Sequence, residues 1–185
     1  MKKFLFVCAV LVLVCLSGSA FGASKQELKR MSTFLSNFTE LSMYYINVDT
    51  IAADELIHFG IWHNYVNNYR SRIEDGTKGR KVIDGEYVAE SVKKFFDLKL
   101  KHRSTEEADY DGEYYHFMPA DGETRYYAEV KSVIRKGKVI TMKGELYNSE
   151  DKADRPGLFT AEAKPYKYKG EDRWALLTLS VEWGE

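Results

Sequence analysis

Two periodicities divide the chain. Apolar residues recur at Leu28, Met31, Phe34, Leu35, Phe38, Leu41 and Tyr45, the three-and-four spacing of a single helix face. Ser24-Lys25-Gln26-Glu27 stands ahead of that run with the serine and glutamate of a capping box. One helix is therefore expected from Ser24 to about Ile46. Asn47 to Thr50 interrupts the pattern. A second helix is expected from about Ala53 to Tyr69, with Leu56, Phe59, Trp62, Val66 and Tyr69 on one face. Glu74 to Lys81 is polar and reads as a loop, and Val82-Ile83 as a short strand. A third helix is expected from about Tyr87 to Phe96, and Lys99 to Glu107 as an exposed charged stretch.

From Tyr114 the period changes to two. Turn signals at Asp121-Gly122, Lys136-Gly137, Asn148 to Gly157 and Lys169-Gly170 bracket strands at Thr124–Arg135, Lys138–Tyr147, Leu158–Tyr168 and Arg173–Trp183. A shorter strand at Tyr114–Met118 precedes them. Short turns between successive strands make an antiparallel meander. Alternation places Tyr126, Ala128, Val130, Ile134, Ile140, Met142, Gly144, Leu146, Phe159, Ala161 and Ala163 on the core face, followed by Ala175, Leu177, Leu179, Val181 and Trp183. Helices first and strands afterwards give an α+β fold, with the helices packed on one curved sheet. The helical part spans 24–97 and the meander 110–185, within a single domain over 23–185.

The N-terminus carries a different signal. Lys2 and Lys3 precede an apolar run from Phe4 to Leu16, and the small residues Ala20 and Gly22 follow. That reads as a secretory signal peptide over 1–22, and so as a secreted or periplasmic protein. The run is shorter than the roughly 20 residues a membrane span needs, so no span is expected after cleavage. Both cysteines, Cys8 and Cys15, fall in this segment. The mature chain then has no thiol chemistry and no disulfide. The whole chain has 27 basic and 28 acidic residues, without the clustered basic footprint of a nucleic-acid binder.

The order of three helices and a long curved antiparallel sheet resembles the NTF2-like (cystatin-like) cone domains of secreted bacterial proteins. The resemblance covers most of the mature chain and rests on element order alone. It implies a concave sheet that can enclose a pocket. It implies no particular activity, because folds of this kind host enzymes and binding modules alike.

Candidate chemistry is sparse. His58, with Asp54 one turn before it, is a candidate general base. Phe34, Phe38, Phe59, Trp62 and Ala161 are candidates for lining an interior pocket, although close packing of the same residues is the plainer expectation. Glu107, Asp109 and Asp111 alternate ahead of Gly112 like the start of a calcium loop. Position 12 of such a loop is Met118, so no metal is expected. Tyr127, Tyr147, Tyr166, Tyr168 and Trp174 fall on the sheet face opposite the core, a candidate surface for a protein partner or a second copy of the chain. Asp109 to Val130 reads as a tyrosine-rich hairpin, with Tyr114 or Tyr115 facing Tyr126 or Tyr127 across a Pro119 to Gly122 turn. Together these point to a non-enzymatic binding protein without cofactor, contacting a protein partner or a small ligand. The alternative is a small cone-pocket enzyme of isomerase or hydrolase type.

Overall fold

The computed structural model describes residues 23–119 and 125–184. The proposed signal segment and the expected Asp121-Gly122 turn lie outside them. The chain is α+β: the described residues form four helices and two antiparallel sheets, with the helices on the larger, curved sheet. No helix among the described residues is long and apolar enough to cross a membrane.

Helix α1 (Lys25–Thr39) begins as its capping residues dictate, with the Ser24 hydroxyl accepting from the Glu27 N–H at 3.1 Å. It ends seven residues earlier than the expected Ile46. Ser42 adopts a left-handed φ of 58°, and Tyr45–Asn47 becomes strand β1 instead. The apolar spacing does continue past Thr39. Pairing with the edge of the large sheet overrides it, because three ladder positions become available there.

Helix α2 (Ala53–Asn67) and the short α3 (Tyr69–Arg72) follow. The expected polar loop is a hairpin of β2 (Glu74–Asp75) and β3 (Lys81–Asp84) around a 3-10 turn. Helix α4 (Gly85–Phe96) starts where the Asp84 carboxylate accepts from the Glu86 N–H at 2.7 Å and stops at Asp97, whose φ is 58°. Strands β4 (Ala108–Tyr110) and β5 (Tyr114–Phe117) complete a four-stranded sheet in the order β2-β3-β5-β4.

The remaining strands are β6 (Tyr126–Lys136), β7 (Val139–Asn148), β8 (Gly157–Tyr168) and β9 (Glu171–Trp183). They form the expected meander, and β1 adds to its β9 edge. Strand β5 is not part of it. Tyr115 pairs with Tyr110 and Ile83, and Tyr127 pairs with Tyr147. The expected hairpin across Pro119 does not exist; the actual turn is Asp111 to Glu113. The Asp111 carboxylate accepts from Glu113 N (3.0 Å) and Tyr114 N (2.8 Å), and His116 Nε2 meets it at 2.8 Å.

Two bulges change which residues face the core. In β6 the register shifts at Lys131, so Val133 packs inward and Ile134 is 59% exposed. In β9 the register shifts at Leu177, so Leu176, not Leu177, is fully buried. Trp174 turns inward with it. An extra residue reverses the alternation beyond the bulge, and alternation counted from the strand end therefore misassigns Ile134, Leu176 and Trp174.

The core is a cluster of phenylalanines between α1, α2, α4 and the sheet. Phe38 stacks on Phe59 at 5.1 Å and meets Phe96 edge-on at 5.4 Å, while Phe59 meets Phe95 edge-on at 5.3 Å. Each such pair adds roughly 0.5–1.5 kcal/mol beyond area burial. Helices α2 and α4 touch at Gly60. A Cβ there would lie 2.5 Å from Val88 Cγ1 and 2.8 Å from the Val88 carbonyl.

Candidate functional site

The interior is filled. Phe38, Phe59 and Ala161 are completely buried among other side chains, and there is no free space beside Gly144. A Cβ on Gly144 would fall 2.0 Å from the Glu129 carbonyl and 2.8 Å from the Phe159 ring. Trp62 packs edge-on against Phe117 at 5.5 Å and donates its indole N–H to Glu107 at 3.0 Å. Of the five pocket candidates, Phe34 lines a cleft, which lies on the outside of the core.

His58 pairs with a different carboxylate from the one expected. Asp54 binds Arg103 at 2.8 Å, whereas Glu107 reaches His58 Nδ1 at 2.8 Å. A proton held on Nδ1 by a carboxylate leaves Nε2 as the basic nitrogen. Burial pushes the Glu107 carboxyl up. The hydrogen bonds from His58 and Trp62 and the histidine charge outweigh it, leaving the group below its ordinary value. The pair borders an open cleft of about 550 Å³ lined by Leu41, Met43, Tyr44 and Thr105 among others.

The calcium-like triplet is dispersed. Glu107 serves His58, Asp109 pairs with Arg80 at 2.6 Å, and Asp111 holds the β4–β5 turn. Backbone N–H donation from Tyr114, with His116 and Glu113 N, pulls the Asp111 carboxyl down to about 2. Among the described residues no group of three metal-ligating side chains is assembled.

The aromatic band also divides. Tyr127 and Tyr147 pair on the outer face at 5.7 Å, with the Arg155 guanidinium over Tyr147 at 5.2 Å. The Tyr166 hydroxyl shares its proton between two terminal carbonyls of α4, Lys93 (2.8 Å), which also accepts from Asp97 N, and Lys94 (2.5 Å). Tyr168 donates to Glu90 at 3.3 Å. Trp174 packs on Phe34 at 5.9 Å. These three face the helices and not the outer side of the sheet, and hold the β8–β9 tip against them.

Their placement builds a second cleft, of about 420 Å³, between α1, α2, α4 and the β8–β9 tip. Phe34, Phe95 and Trp174 form its apolar lining. The Arg30 guanidinium lies 5.3 Å from the Trp174 ring centre, and the Lys94 ammonium 5.2 Å from Phe95. His63 is sandwiched by Phe59, stacked at 5.4 Å, and Phe95, edge-on at 4.7 Å. Burial lowers its pKa to about 4, helped by the charges of Lys94 and Arg72. Burial and then the Arg173 and Arg72 charges likewise lower Lys94.

No family model, curated protein or solved structure matches the chain.

Sequence reasoning found Phe34 and Trp174 but assigned them to separate surfaces. It missed His63, Arg30 and Lys94. The interval from His63 to Lys94 has no motif, because packing of α2 on α4 brings them together. A cation one turn ahead of Phe34 was the only local sign of Arg30.

Proposed function

We propose that this chain is a non-enzymatic binding protein of the cell envelope that takes a small ligand in the cleft between α1, α2, α4 and the β8–β9 tip. The observation that carries this reading is a filled core beside an external cleft with an aromatic lining and charged walls. Apolar lining with a few polar groups is the usual make-up of a ligand site, and 420 Å³ suits a small organic molecule. The envelope location rests on the basic and apolar segment at 1–22 and on the absence of cysteine beyond it. The order of helices and strands supports an NTF2-like relationship for the fold.

A second reading keeps a specific basis. His58 and Glu107 form an oriented histidine–carboxylate pair beside the larger cleft, as a general base requires. No hydroxyl bonds to His58 among the described residues, so a nucleophile would have to be water or the substrate itself. Binding is preferred for that reason.

Native mass spectrometry of the chain exported to a periplasm tests the proposal. The expected species begins at Ala23 and carries a reproducible adduct that denaturation removes. An unprocessed chain retained inside the cell sinks the envelope assignment. Turnover of a substrate abolished by His58→Ala makes the protein an enzyme and overturns the binding reading.

A further inference from the structure

We infer that the ligand of the α1/α2/α4/β9 cleft is a small organic anion with a flat apolar body, its charge held between Arg30 and Lys94 and its ring against Trp174. This rests on the binding reading above and names the class of molecule.

The argument begins with charge pairing. The other cations around this end of the molecule have carboxylate partners. Arg72 pairs with Glu90 at 2.7 Å, Lys169 also reaches Glu90, Arg173 reaches Glu171, and Lys167 pairs with Asp172 at 2.9 Å. The local acids are thereby committed. Among the described residues, no carboxylate lies within ion-pair distance of Arg30 or Lys94; each rests on an aromatic ring instead. These two enter from α1 and α4 and line one cleft. Glu90 and Glu171 offset the Lys94 charge only in part, and burial with the Arg173 and Arg72 charges outweighs them. Two cations without a direct carboxylate partner on a partly desolvated space create a positive potential that an anion relieves. Among the described residues, Asp172 also lines the cleft, but its carboxylate is paired with Lys167 at 2.9 Å.

The lining decides the rest of the molecule. Phe34, Phe95 and Trp174 offer ring faces and edges, which gain most from a planar apolar partner. A bare inorganic anion would leave that surface unused, and a neutral ring would leave both cations unpaired. The guanidinium fork of Arg30 suits a planar carboxylate or a sulfonate, while Lys94 acts as a point charge. A single compact cleft, not an extended basic stripe, also separates this from nucleic-acid binding.

Calorimetric titration of residues 23–185 with benzoate, indole-3-carboxylate, naphthalene sulfonate, neutral indole and inorganic phosphate tests the class. At least one aromatic anion is expected to bind about tenfold or more tightly than neutral indole or phosphate. Lys94→Gln and Arg30→Gln should each weaken it by about tenfold, the range for a charge-assisted hydrogen bond. Lys143→Gln, on the outer sheet face, should leave it unchanged. Equal binding of indole and indole-3-carboxylate, indifference to Lys94→Gln, or no aromatic anion binding overturns the inference. A native adduct that survives Lys94→Gln would keep the binding reading and place its site elsewhere.

Discussion

The hydroxyl of Ser32 on α1 accepts a hydrogen bond from the backbone N–H of Val130 on β6 at 2.9 Å, while itself donating to the Leu28 carbonyl at 2.8 Å. One turn later Ser36 accepts from Ala128 N at 3.0 Å. Strand β6 is the free edge of the five-stranded sheet. Exposed edge N–H groups invite pairing with another chain. Two serines at helical spacing match two edge donors at strand spacing, and so close that edge. Ser32→Ala and Ser36→Ala should each cost about 1 kcal/mol or somewhat more, since a buried donor loses its partner. The double variant should also self-associate. Chemical denaturation and sedimentation velocity check this; a monomeric double variant of unchanged stability would refute the edge-capping role.

Gly60 is required by contact between helices, not by backbone conformation. Gly60→Ala gains helix propensity yet must push Val88 away, and overpacking of this kind costs about 1–3 kcal/mol. The variant should melt several degrees lower than the parent. Combining it with Val88→Ala should recover part of the loss, a coupling that a double-mutant cycle measures directly.

His63 predicts an acid limb to the stability curve. Its folded pKa, about 4, lies below the ordinary value of 6.5. The unfolded chain therefore takes up a proton first as pH falls. The contribution of neutral His63 is complete above 6.5 and is lost as pH falls toward 4. Over that window the loss is on the order of 3 kcal/mol. His63→Gln should flatten urea-unfolding stability between pH 6.5 and 4; a slope equal to the parent's would show that another group titrates.

Removal of the Tyr166 and Tyr127 hydroxyl groups should have unequal effects. Tyr166 caps two α4 carbonyls, so Tyr166→Phe should lower stability by about 1 kcal/mol. Tyr127→Phe should change it by less than about 0.5 kcal/mol. Neither is expected to alter the sedimentation profile. Dimer loss in Tyr166→Phe alone would return that residue to a docking role.

Much of the local order was legible from residues alone. The Ser24 cap, the phenylalanine spacing of α1 and the alternation of β7 and β8 are decided within a few positions by rotamer, capping and pleat geometry. These suffice for the class, because an apolar helix stripe and an apolar sheet face must bury each other. Termination of α1 at Thr39, the bulges at Lys131 and Leu177, and the exchange of Asp54 for Glu107 beside His58 were decided elsewhere. Each depends on a partner far along the chain: β1 on β9, one extra residue against its neighbouring strand, a carboxylate 49 residues from its histidine. The cleft belongs to the same class. Arg30, His63, Lys94 and Trp174 sit on four separate elements, and no spacing between them carries a signal until the phenylalanine core draws those elements together.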